Sequence, residues 1–143
     1  MQIPDNIADL SAIAKHLAMV KTIAVVGLSP KENRPSNLVG RYLLDAGFTV
    51  IPVNPGQDEI LGQRCFADLV SIDQPVDVVD IFRKPEDVLP IVEEALRLRP
   101  LPKIIWMQQG IVNDAAAELA RQRGVFVVMD RCIKIDHHAL LDR

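Results

Sequence analysis

The residues able to do chemistry in this chain stand where apolar, strand-like runs give way to loops. Gly27, Leu28, Ser29 and Pro30 follow the run 22–26, and Asn54 and Pro55 follow 49–53. Phe82, Arg83 and Lys84 close 76–82, while Gln108, Gln109 and Gly110 follow 103–107 and Asp130, Arg131 and Cys132 follow 125–129. This set is rich in hydrogen-bond donors and poor in acids, which suits an anion. Gly27 lets backbone approach a phosphate, Ser29 and nearby amides donate to it, and the helix that follows presents its positive end. Lys31, Arg34, Arg83 and Lys84 are the cations within reach. The plainer alternatives are a tight turn at Gly27 and Ser29, a strand terminator at Asn54-Pro55, and solvated surface charge at Arg83 and Lys84.

Other chemistries find less support. There is no Ser-His-Asp order, zinc pattern or phosphate-binding P-loop, and no catalytic residue is assigned. His137 and His138 point in different directions on a helix or a strand, and nothing at ligand spacing completes a set with Asp136, so no metal is expected. His16 reads as a surface residue. Asp77 and Asp80 flank a buried strand, and Asp80 is expected to hydrogen-bond neighbouring backbone rather than catalyse. Cys132 lies between Arg131 and Lys134, where positive charge favours thiolate, and the alternative is a small buried hydrophobe. A nicotinamide dinucleotide falls behind, because Gly27 is followed by Leu28, Ser29, Pro30, Lys31 and Glu32 rather than completing G-x-G-x-x-G. The second strand also ends at Asn54, where such binders carry an acid for the ribose.

The elements that must position these loops are legible from periodicity. Residues 5–19 place Ile7, Leu10, Ile13, Ala14, Leu17 and Ala18 on one helical face, with Asp5 or Asn6 as N-cap. Helices are expected over 36–46, capped by Gly47, and over 113–123, capped by Gly124. The stretch 85–99 is read as a tight turn to Leu89 and then a helix with Pro90 at its first position. The connector 57–73 shows no clean period. Five strands separated by helices require a parallel sheet. The expected architecture is an α/β, Rossmann-like three-layer fold with five parallel strands in the order 3-2-1-4-5 and helices on both faces.

A chain of 143 residues, 49% hydrophobic and 24% charged, fits one domain. The net charge of -3 provides no large positive field for nucleic acid, whereas one phosphorylated small molecule needs only a few local cations. No apolar run is long enough to span a bilayer, and the acidic amino terminus is unlike a signal peptide, so a soluble cytoplasmic protein is expected. Cys65 and Cys132 are expected as free thiols.

Taken together, VVGLSP at 25–30, IPVNP at 51–55, ILGQRCFADL at 60–69, VDVVDIFRKPEDV at 76–88, IIWMQQG at 104–110 and VVMDRCIKI at 127–135 resemble the small stand-alone CoA-binding proteins. Those are similar to the CoA-binding domain of the succinyl-CoA synthetase α subunit and of ADP-forming acyl-CoA synthetases. The resemblance implies coenzyme A or acyl-CoA as ligand. It places Gly27, Ser29 and Pro30 at the phosphates and pantetheine, Val53, Asn54 and Pro55 beside the adenosine, and Phe82, Arg83, Gln109 and Gly110 along the groove. Leu28, Arg34 and Cys132 complete the candidate set, Cys132 as a partner for the pantetheine thiol. The synthetases need a phosphohistidine domain and a nucleotide-grasping domain that are not seen here, so ligase activity by this chain alone is not expected. A non-catalytic sensor, carrier or regulatory module is. The rivals are an NAD(P)-binding redox protein and a subunit of a multi-chain acyl-CoA synthetase. The protein partner is unknown, and a homodimer is one option.

Overall fold

The computed structural model describes residues 9–141. In chain order the elements are α1 (Leu10–Leu17), β1 (Thr22–Val26), α2 (Pro35–Asp45), β2 (Thr49–Val53), β3 (Glu59–Ile60) and β4 (Gln63–Arg64). There follow β5 (Val78–Ile81), a 3-10 turn (Pro85–Asp87), α3 (Val88–Ala95), β6 (Ile104–Met107), α4 (Asp114–Gln122), β7 (Phe126–Val128) and α5 (Ile133–Leu141). The five long strands are dominated by valine and isoleucine and are buried at nearly every position, the composition of strands covered on both faces. They form one all-parallel sheet, as expected, with helices on both sides. Ala24, Val26, Val79, Ile81, Ile105 and Met107 face α3 and α4. Ile23, Val25, Val78, Ile104 and Trp106 face α1, α2 and α5.

The strand order departs from the expected one. The sheet runs β2-β1-β5-β6-β7, so among the five long strands the order is 2-1-3-4-5 rather than 3-2-1-4-5. Pro52 gives the physical reason, because a proline has no N–H to offer a further strand. Its carbonyl is already taken, accepting from the Phe66 N–H at 3.0 Å, and Phe66 also bridges Val53. β2 is therefore an edge. β5, buried at all four positions, needs a neighbour on each side and finds them in β1 and β6.

Asp77 pins the entry end of the sheet. One carboxylate oxygen accepts from the N–H groups of Lys21 at 2.8 Å and Thr22 at 3.0 Å, and the other accepts from Lys103 Nζ at 2.7 Å. Burial alone would raise this carboxyl, but the hydrogen bonds from Lys103, Thr22 and Lys21 outweigh it and hold Asp77 below the usual aspartate range. A depressed carboxyl stabilises the fold above its unfolded-state value, and that contribution disappears as pH falls through the folded-state value. Asp77→Asn is therefore expected to lower the melting temperature at neutral pH and to lower it much less near pH 3. An equal loss at both pH values would remove the charge from this account.

Several local expectations shift. α1 is capped by Asp9, whose Oδ1 accepts from the Ala12 N–H at 2.7 Å, and Ile7 with the expected caps Asp5 or Asn6 lies outside the described residues. α3 begins at Val88, so Pro90 occupies its third position rather than its first, still within the turn where a missing N–H leaves no helical bond unmade. The connector forms the hairpin β3–β4, turning through Leu61 at φ 54° and Gly62 at φ 72°. Leu61 packs over α2 at Gly40, where a Cβ would come within 3.0 Å of the leucine methyl. His16 is half-buried rather than on the surface, stacked on Phe126 with ring centres 3.7 Å apart. Gly47 and Gly124, at φ 98° and 81°, end α2 and α4 as expected. α5 was not expected.

Candidate ligand-binding cleft

The strand order makes the crossovers diverge between β1, which leads into α2 on one face, and β5, which leads into α3 on the other. In open parallel sheets that is where ligands bind, outside the carboxyl ends of the strands. A cleft of about 570 Å³ opens there. Gly27, Ser29, Lys31, Arg34, Pro35 and Ser36 form one wall, Phe82, Arg83, Lys84 and Asp87 the other, and Ile111 reaches in from the loop after β6.

Polar side chains fix the loop after β1 from beneath. Ser36 Oγ accepts from the Ser29 N–H at 2.9 Å, Asn37 Nδ2 donates to the Ser29 carbonyl at 2.9 Å, and Asn54 Nδ2 donates to the Leu28 carbonyl at 3.0 Å. Leu28 itself is fully buried in the core, so it anchors the loop and presents no side chain to the cleft. Gly27 has φ 90°, and a Cβ there would collide with the Phe82 carbonyl. The neighbouring strand end by itself therefore already requires a glycine here.

The charge of the cleft is one-sided. Lys31, Arg34, Arg83 and Lys84 face a single carboxylate, Asp87, and among the described residues none of the four cations is held in an ion pair. α1 and α4 carry side-chain caps from Asp9 and Asn113, whereas among the described residues neither α2, with Arg34 at its N-cap, nor α3, with Asp87 there, has a side-chain cap. A helix N-terminus left open beside cations is suited to an anion.

Of the expected site residues, the cleft wall brings together Gly27, Ser29, Arg34, Phe82 and Arg83. Pro30, Val53, Asn54, Pro55, Gln109, Gly110 and Cys132 are not part of that wall. For Gln109 and Gly110 the strand order accounts for the separation, since β5 stands between β1 and β6 where β6 had been expected beside β1. Cys132 is half-buried and packs against the layer formed by α1, α2 and α5. Its neighbour Arg131 is engaged by Asp136 through bonds of 2.7 and 3.0 Å. Cys65 is buried beside the Asn54 carbonyl, and burial pushes its thiol up. His137 bonds to the Tyr42 hydroxyl at 2.7 Å, and burial followed by the charge of His138 lowers its basicity.

Sequence reasoning missed Ser36 and Asn37. Their signal was present as two small polar residues opening the helix after a glycine loop. It also expected Asp80 to bond backbone. Asp80 is fully buried, and neither carboxylate oxygen has a hydrogen-bond partner.

A family model described as the CoA binding domain matches residues 21–138. The chain belongs to the CoA-binding domain family. Within that family's reach it is 42% identical over 125 residues to the uncharacterized protein YneT of Bacillus subtilis, covering 87% of this chain and 91% of that one. It is 36% identical over 121 residues to acetate–CoA ligase [ADP-forming] I of Archaeoglobus fulgidus, covering 79% of this chain but 18% of the ligase. A solved hypothetical protein from Pyrococcus horikoshii superposes with a TM-score of 0.90 at 35% identity, covering 99% of this chain and 98% of the other. Among the described residues no helix is long and apolar enough to cross a membrane.

Proposed function

We propose that this CoA-binding domain holds coenzyme A, free or as a thioester, in the cleft between β1 and β5, and acts as a non-catalytic sensor, carrier or regulatory module. The observation that carries the reading is the convergence on one cleft of four cations, none held in an ion pair among the described residues, and a helix start without a side-chain cap. Coenzyme A brings a pyrophosphate and a further phosphate, which charge-assisted hydrogen bonds hold strongly. Gly27, Ser29, Arg34 and Arg83 are assigned to the phosphates. Phe82, Pro35 and Ile111 offer apolar surface to the pantetheine arm. Val53, Asn54 and Pro55 lie toward the β2 edge for the adenosine, and Gln109 and Gly110 extend the groove toward β7. Cys132 is assigned to the thiol end, which a mixed disulfide formed with CoA disulfide would reveal by intact mass.

Calorimetry with CoA, NAD and NADP at one ionic strength tests the ligand. CoA is expected to bind tightest, because the end of β2 carries Asn54 where a dinucleotide site needs an acid. Its affinity should fall as salt is raised, since the cations of the cleft rim are largely exposed. Tighter binding of NAD would reverse the assignment in favour of a redox protein. Acyl-CoA synthesis appearing only when a second chain is added would favour the synthetase subunit.

A further inference from the structure

We propose that Asp80 is a proton-carrying residue that sets how well the cleft holds an anionic ligand: the cleft is formed while Asp80 is protonated and loosens when the proton leaves. The inference rests on the cleft reading given above.

Asp80 lies in β5, the middle strand of the sheet, on the face covered by α1, α2 and α5, with Val25 of β1 and Trp106 of β6 as its lateral neighbours. It is 0% exposed, and both of its oxygens lack a partner. A carboxylate in that position is an uncompensated buried charge, which folded proteins avoid by keeping the group neutral. Among the described residues, no charged group on the surrounding elements is free to compensate it. β1 and β6 contribute no titratable side chain on this face. On α1, His16 bonds the Ala12 carbonyl and stacks on Phe126, and Lys15 is exposed. On α2, Tyr42 is bonded to His137, and Arg41 and Asp45 are exposed. At α5, Asp136 is bonded to Arg131, Lys134 lies over the Tyr42 ring, and His138 is exposed. Cys132 is half-buried in the same layer. Burial is the cause that pushes the Asp80 carboxyl well above the usual aspartate range.

The link to the cleft runs along β5. Phe82 follows two residues later, roughly 7 Å along an extended strand. Its N–H donates to the Val26 carbonyl at 2.8 Å, and its own carbonyl lies against Gly27. Phe82 and Arg83 are cleft wall. An ionised Asp80 must reach water, and the exit end of β5, two residues further on, opens on the cleft. Hydrating it parts Phe82 and Arg83 from the β1 loop. A phosphate held by that wall adds like charge, so ligand and proton favour each other's retention. The sign follows: a group raised in the folded state stabilises below its unfolded value, and that stability is lost as pH rises through the folded value.

The test compares the wild type with Asp80→Asn, which keeps the shape without the charge, and with Asp80→Val. Melting without ligand and CoA affinity are measured from about pH 6 to about pH 9 at fixed ionic strength. Wild-type melting temperature should fall with rising pH relative to both variants. Its CoA affinity should weaken relative to theirs by up to about tenfold per pH unit above the point where Asp80 ionises. The carboxyl carbon of Asp80, followed by carbon-13 NMR in the wild type, should remain in its protonated position at neutral pH, a readout that stands if neither variant folds. Parallel pH profiles, or a carboxyl that titrates in the ordinary aspartate range, would overturn the inference while leaving CoA binding intact. Absence of CoA binding at every pH in all three proteins overturns the cleft reading and the coupling with it, and the melting and NMR data distinguish that outcome from a failure of Asp80 alone.

Discussion

Gly27→Val is expected to destabilise the whole protein, not merely to empty the cleft. Gly27 holds φ 90°, a conformation that costs a residue with a side chain about 1–3 kcal/mol, and a β-branched one the most. The new Cβ would also meet the Phe82 carbonyl, which is backbone just past the end of the central strand and cannot swing away as a side chain would. Against a total stability of about 5–15 kcal/mol, the combined loss is large enough to lower the melting temperature by ten degrees or more. Thermal melting followed by circular dichroism checks it. Gly27→Ala should show a smaller loss in the same direction. A valine variant that melts like the wild type would mean that β1 and β5 do not close on each other as described.

The second large effect is on binding with the fold preserved. Arg34→Glu combined with Arg83→Glu is expected to weaken CoA at least 100-fold, since each charge-assisted bond contributes about 1.5–3 kcal/mol and the new carboxylates repel the phosphates. Among the described residues neither arginine is engaged in an ion pair, so the melting temperature should move little. Lys15→Glu on α1, exposed and away from the cleft, is the matched control. If the double variant binds CoA as well as the control, the phosphates sit elsewhere.

Much of this arrangement was legible before any coordinates. Continuous valine and isoleucine runs can only be strands buried on both faces, and helical periodicity between them forces parallel pairing, so the layers followed directly. Gly27, Ser29, Arg34, Phe82 and Arg83 could be chosen because strand ends in such a sheet share one edge. The order of strands was harder. Periodicity carries no information on lateral neighbours, and the clue, Pro52 inside the second strand, concerns which side of a ladder lacks a donor. That one misplacement set β6, with Gln109 and Gly110 at its end, directly beside β1. Asp80 was misjudged for another reason: an acid between valines announces burial, but whether a partner exists depends on side chains contributed by Trp106, Tyr42 and α5. The hairpin β3–β4 was too short to show a period, and the apolar residues of α5 are split between Ile133 in the core and the exposed Ile135 and Leu141.

Pro52 has a bearing on how copies of this molecule meet. A parallel sheet normally leaves a row of unpaired amides at each border, and a foreign strand can dock there and seed fibrils. Here one border is sealed by chemistry, since Pro52 has no amide proton and its oxygen is occupied by Phe66. The opposite border is β7, three residues long, which offers too short a template for a lasting ladder. Pairing of a foreign strand is thereby discouraged at both borders of the sheet.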